Sequence, residues 1–162
     1  MTEAAAPRAV PQPIGGWLVL LGVGIVLGPF IVLLNLVTLW QDVFASGAFD
    51  VMSAPASQGY DPLWPVLLVG ELAFQVVMLL ATALLAVSFF RRSWAFPRLY
   101  LGVNLMALAA NVVDIAAVRH LMPEYPLIDG TAVQTFGSLA IGLLIWTPYL
   151  FLSDRARRTF IA

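Results

Sequence analysis

Apolar residues run through this chain in four long stretches, near Ile14 to Trp40, Leu63 to Phe90, Phe96 to Val118 and Thr131 to Leu152. Each is long enough to cross a hydrocarbon core of ~30 Å at 1.5 Å per residue, and the first two are long enough to tilt. A bilayer offers the backbone no water, which leaves helices or closed barrels as spanning structures. The alternating segments of a barrel, about ten residues each, are not seen. The pattern therefore predicts an all-α fold, a bundle of four transmembrane helices. Arg8 ahead of the first stretch and Ala45, Ser46 and Gly47 behind it resemble the flanks of a signal peptide. Its length, well beyond the ~7 to 15 residues of a cleavable apolar core, reads instead as a span.

Polar positions within the spans are few and fall on stripes. Glu71, Gln75 and Thr82 are spaced i, i+4, i+11 in the second span, and Asn104, Ala107, Asn111 and Asp114 recur at i, i+3, i+7, i+10 in the third. The first span supplies Gly24 and Gly28, a GxxxG pair suited to close helix packing, with Asn35 seven residues further on. The fourth offers Gln134, with Gly137 and Ser138 on the adjoining turn. A weak internal echo, Leu21-Gly22-Val23 against Leu101-Gly102-Val103, raises the possibility of two related helical hairpins.

Arginine placement sets an expected orientation. Arg8 precedes the first span, Arg91, Arg92 and Arg98 flank the connection between the second and third, and Arg155, Arg157 and Arg158 follow the fourth, leaving Arg119 alone opposite. This bias predicts both termini on the cytoplasmic face, N-in and C-in. Trp17, Trp40, Trp64, Trp94 and Trp146 all fall near predicted span ends, as an interfacial aromatic belt requires. The connections hold little material. Phe44, Phe49, Val51, Met52 and Tyr60 in the first outer loop suffice for a short interfacial helix or a lid, and Pro123 and Pro126 favour an irregular second loop. Residues 1–13 read as a disordered cytoplasmic tail, 14–152 as the membrane domain and 153–162 as a basic cytoplasmic tail.

Composition narrows the chemistry. With 61% hydrophobic and 10% charged residues the chain lies outside globular usage, and its net charge of −1 gives no reason to expect a nucleic-acid partner. Cysteine is absent, which excludes disulfide exchange and thiolate metal sites, and the absence of lysine excludes Schiff-base chemistry. His120, the single histidine, sits beside Arg119 at a span end and reads as an interfacial residue; no metal and no cofactor is implied. Gly137-Ser138 lacks the flanks of a nucleophile elbow.

Depth then singles out two acids. An ionised side chain at the bilayer centre costs at least ~2.5 to 3.5 kcal/mol, so acids within spans tend to face the bundle interior and carry a function. With both termini inside, Glu71, Asp114, Asn35 and Gln134 all lie in the outer half, one from each helix. Together with Gln75 and Asn111 they are expected to line a polar pocket open to the outer face and closed by apolar packing below. Two carboxylates in one dry site cannot both ionise cheaply, so a shared proton is expected if they are close. The plainer reading is that these side chains hydrogen-bond between helices, at roughly 0.6 kcal/mol each, and hold the bundle in register.

Two segments also carry a resemblance. Ile14-Gly15-Gly16-Trp17-Leu18 at the start of the first span and Ser153-Asp154-Arg155-Ala156-Arg157-Arg158-Thr159-Phe160 near the end resemble the opening and closing signatures of a bacterial domain-of-unknown-function family, number 2569. The resemblance implies a small four-span protein of the bacterial inner membrane, and it assigns no activity and no role to Glu71 or Asp114. Gly15 and Gly16 would let a neighbouring backbone or the C-terminal tail approach closely. Arg155, Arg157 and Arg158 read as a site for docking lipid headgroups or a partner. With no catalytic motif, the expected function is that of a non-enzymatic accessory or assembly subunit, bound to membrane lipids and to another membrane protein or a second copy. The alternative is a small-solute or proton-linked transporter, or a ligand-binding protein, that uses the pocket around Glu71 and Asp114.

Overall fold

Four helices long and apolar enough to cross a membrane are present in the computed structural model, which describes residues 12–56, 60–124 and 130–161. The first span is α1 (Trp17–Leu39) prolonged by a π-helical turn, Trp40–Ala45. A short helix, α2 (Ala48–Ser53), follows in the connection, where the sequence leaves room for one. The second and third spans are α3 (Leu63–Phe90) and α4 (Phe96–Leu121). The fourth is built from α5 (Gly130–Ile141), a π-helical turn at Gly142–Trp146 and α6 (Thr147–Leu152), and a last helix, α7 (Asp154–Thr159), completes the chain. No strand occurs among the described residues. The tail expected over residues 1–13 lies outside them except for Gln12 and Pro13, and most of the second loop is outside them too.

Prolines locate the irregularities. Pro29 lies inside α1, where it has no N–H to give the preceding turn. Pro148, in the first turn of α6, likewise cannot donate, and the backbone widens to π just before it. Thr147 fits that wider turn, its Oγ1 donating to the Gly142 carbonyl at 3.0 Å. Between α3 and α4 the chain reverses within five residues, with Arg92 at φ 52° and its N–H donating to the Phe89 carbonyl at 3.0 Å.

The packed core lies at one end of the bundle, the end where the first and last described residues lie. Leu18, Leu21 and Ile25 come from α1, Leu85 and Phe89 from α3, Phe96 and Tyr100 from α4, Leu150 from α6, and Ala156 and Phe160 from α7 and its end. Aromatic rings organise it. Phe96 stacks on Phe160 with centroids 4.7 Å apart and meets Phe89 edge-on at 5.2 Å. Such pairs contribute about 0.5–1.5 kcal/mol each beyond the area they bury.

Within the segment expected as a basic tail, residues 154–160 are thus part of the packed end. Ala156 and Phe160 stand four apart, on one face of a helical turn, and both are buried, while Arg157 and Arg158 on the other faces are exposed. Thr159, fully buried, donates its hydroxyl to the Arg155 carbonyl at 2.9 Å, so burial leaves that donor satisfied. The N-terminal strand of chain is tied in as well, through Gln12 N–H to the Arg158 carbonyl at 3.1 Å. Arg155 lies on the Gly15–Gly16 backbone, where a Cβ on Gly15 would collide with its Nη2. The two signature segments, far apart in sequence, meet in this contact.

Away from that end the bundle is incompletely closed. α1 packs along α3, α3 on α4, and α4 on the fourth span, but the first and fourth spans make little direct contact. In lipid this costs little, because hydrocarbon outside the bundle is as apolar as leucine inside it.

Candidate functional site

Two embedded cavities follow from this packing. One is a groove of about 450 Å³ between α3 and α4. Glu71 and Gln75, one turn apart, reach it from α3, and Asn111 and Asp114 reach it from α4; Val66, Phe74 and Val113 add apolar wall. Glu71 and Asp114 thus line the same groove. Asn111 spends its amide N–H on the Ala107 carbonyl at 2.8 Å, which leaves its oxygen turned to the groove as an acceptor. Four of the six polar side chains singled out by depth are therefore brought together, by two helices rather than four.

The other two stand apart. Asn35 and Gln134 are exposed, line neither cavity, and make no hydrogen bond among the described residues. Position along each helix follows from the sequence, whereas rotation about the bundle axis depends on which helices touch. With the first and fourth spans apart, Asn35 and Gln134 face no partner among the described residues.

The second cavity, of about 440 Å³, occupies the gap between those spans and is floored by α3 and α4. Leu21, Gly24 and Gly28 line it from α1, Met78 and Thr82 from α3, Tyr100, Asn104 and Ala107 from α4, and Ser138, Gly142 and Trp146 from the fourth span. A Cβ on Gly24 or Gly28 would meet nothing within 4 Å, so the close packing expected of that pair is not made within this chain. Gly142 is the opposite case. A Cβ there would collide with Asn104 Oδ1 and lie 3.4 Å from the Tyr100 hydroxyl, so its bareness lets α4 approach the fourth span.

Polar groups in this cavity are largely turned inward on their own helices. Thr82 Oγ1 donates to the Met78 carbonyl at 2.8 Å, Asn104 Nδ2 to Tyr100 at 2.8 Å and Ser138 Oγ to Thr135 at 2.8 Å. The walls are left mainly apolar. This cavity was not foreseen: its polar residues look like ordinary interhelical filler in sequence, and only the separation of spans one and four creates the space. The pattern Gly24, Gly28, Asn35 was the available signal, since it lies along one face of one helix.

His120 is exposed in the last turn of α4 beside Arg119. Arg155 is committed to Gly15 and Gly16, whereas Arg157 and Arg158 remain exposed. The internal echo places its glycines differently: Gly22 is buried against the Phe89 ring, and Gly102 faces open space.

The profile of a family described as a protein of unknown function (DUF2569) matches residues 11–161, which takes in both signature segments. No curated protein and no solved structure matches the chain.

Proposed function

The chain belongs to the DUF2569 family, membrane proteins to which no activity is assigned, and we propose that it is a non-enzymatic accessory or assembly subunit of the bacterial inner membrane that receives a helix of another membrane protein in the gap between its first and fourth spans. The observation that carries this reading is the unclosed face itself. A Cβ on Gly24 or Gly28, on one side of the gap, would meet nothing within 4 Å among the described residues, and Ser138 and Gly142 line the other side. On helical spacing Asn35 continues the Gly24–Gly28 stripe, and Gln134 continues the stripe of Ser138 by one turn. Small residues that admit a close backbone and unpaired amides that seek an interhelical hydrogen bond are the two ingredients of helix association in lipid. Both are spent here on nothing within the chain.

The arginine bias supports N-in, C-in insertion, which puts the packed end in the cytoplasmic headgroup region. Pull-down from native membranes in mild detergent tests the partner. A stoichiometric membrane protein, or a second copy of this chain, is expected with the wild type and is expected to be lost with Gly24→Leu and Gly28→Leu. Recovery of a bare monomer, or a partner that binds the leucine variants equally well, would refute it.

A second reading rests on the α3–α4 groove. Glu71 and Asp114 share it with the Asn111 oxygen and Gln75, which suits a small cation or a proton-linked solute. Solute binding or uptake that survives Glu71→Gln together with Asp114→Asn unchanged would remove this alternative.

A further inference from the structure

A third surface, sharing only Val103 with the second cavity, begins where α3 turns into α4. Trp94, in the connection before α4, is 59% exposed, and the Arg98 guanidinium carbon lies 4.9 Å from the centre of its ring. From this pair a shallow trough of about 350 Å³ runs along one face of α4 past Leu99, Gly102, Val103 and Met106. Gly102 keeps it open, since a Cβ there would meet nothing within 4 Å. From Arg98 to Met106 the helix rises about 12 Å, so the trough passes from the headgroup level into hydrocarbon.

Arg98 makes no ion pair or side-chain hydrogen bond among the described residues; the Trp94 ring is its one partner. The ring holds the cation in place without using its N–H donors in any hydrogen bond among the described residues, so they are available to grip a phosphate with two parallel hydrogen bonds. Its position in the first turn of α4 adds the positive end of the helix dipole, and exposed Arg91 on the same connection adds charge. We propose that Trp94, Arg98 and the trough below them form a binding site for an anionic phospholipid of the leaflet on the side of the chain termini. The phosphate sits on the Arg98 edge, and one acyl chain lies along Leu99, Gly102 and Met106.

Native mass spectrometry of the full chain in detergent, titrated with phosphatidylglycerol and with phosphatidylcholine of the same chain length, tests this. Arg98→Gln is expected to weaken phosphatidylglycerol about fivefold, the contribution of one surface arginine near anionic lipid, and phosphatidylcholine much less. Arg98→Lys, which keeps the charge but not the two parallel donors, should recover only part of that loss, and Gly102→Leu, which fills the trough, should weaken both lipids. The proposal is overturned if phosphatidylglycerol binds Arg98→Gln as it binds the wild type, if both lipids weaken alike in that variant, or if Arg157→Gln with Arg158→Gln produces the same selective loss.

Discussion

Adding a methyl group at Gly15 tests how the two ends of the chain are held together. The new Cβ would occupy the place of the Arg155 Nη2 and stand 3.4 Å from Cζ, so the guanidinium must leave the Gly15–Gly16 backbone. Gly15 itself has no positive φ, and its backbone accepts alanine without strain. The cost of Gly15→Ala is therefore the Arg155 contact, and residues in direct contact couple by about 0.5–3 kcal/mol. We expect about 1 kcal/mol, because only the end of a flexible, exposed side chain has to move. In an Arg155→Ala background the same methyl meets nothing of the guanidinium. There Gly15→Ala should be neutral or stabilise by about 0.4–1 kcal/mol, through the smaller entropy of the unfolded chain. Gly16→Ala behaves differently. At φ 59° and ψ −137° its backbone is strained for any side chain, at about 1–3 kcal/mol, and that cost should persist without Arg155. Equilibrium unfolding in mixed micelles of the four combinations at Gly15 and Arg155 gives the coupling directly. A Gly15→Ala penalty that is the same with and without Arg155, within ~0.3 kcal/mol, would refute this account of the contact.

Three further outcomes can be read in the same assay. Phe160→Ala removes a ring stacked on Phe96 in the packed end and should destabilise by about 3–5 kcal/mol; a loss under 1 kcal/mol would mean that α7 is not part of the cooperative unit. Gly142→Ala should cost about 1–3 kcal/mol because its Cβ collides with Asn104, whereas Gly24→Ala and Gly28→Ala should stay within about 0.5 kcal/mol of the wild type; equal penalties at all three would contradict the open gap. Arg92→Gly should stabilise by about 1 kcal/mol by relieving the left-handed backbone at φ 52°, and destabilisation would show that the arginine side chain does more than close the turn.

The spans were legible because their signal is one-dimensional. Length and apolarity set each crossing, and the helix bounds agree with the sequence to within a few residues, the first span running on to Ala45 through a π turn that no pattern announces. The close approach of the two signature segments was legible in outline too, since adjacent glycines permit it. The burial of α7 was less so. Three arginines in four residues dominate the impression of that segment, and the Ala156–Phe160 pair, which decides which way it faces, is a short apolar signal among them.

The polar stripe on each helix was legible from its spacing, whereas the azimuth of each stripe in the bundle was not, and the reason lies in how the bundle is tied. Ten of the twelve buried hydrophobic side chains cluster at the end where α7 and the residues from Gln12 meet beneath the spans, with Leu68 and Leu139 the exceptions, so the helices are held together chiefly there. α3 and α4 stay paired and bring Glu71, Gln75, Asn111 and Asp114 together. Among the described residues α1 and the fourth span make little direct contact, so the halves of α1 and α5 that carry Asn35 and Gln134 stand apart. A symmetric closed bundle would have brought all six residues to one ring, as their depths predict. Closing the gap would require two neighbouring amides to find each other; leaving it open holds two unpaired amides in the membrane, a cost that a partner's polar side chains can offset. If a partner helix fills the gap, as proposed above, Asn35 and Gln134 are where its polar side chains would act. Asn35→Leu together with Gln134→Leu should leave the isolated chain at least as stable as the wild type while weakening any complex formed across the gap. Loss of monomer stability by more than ~1 kcal/mol would place those amides in contacts within the chain and remove this argument.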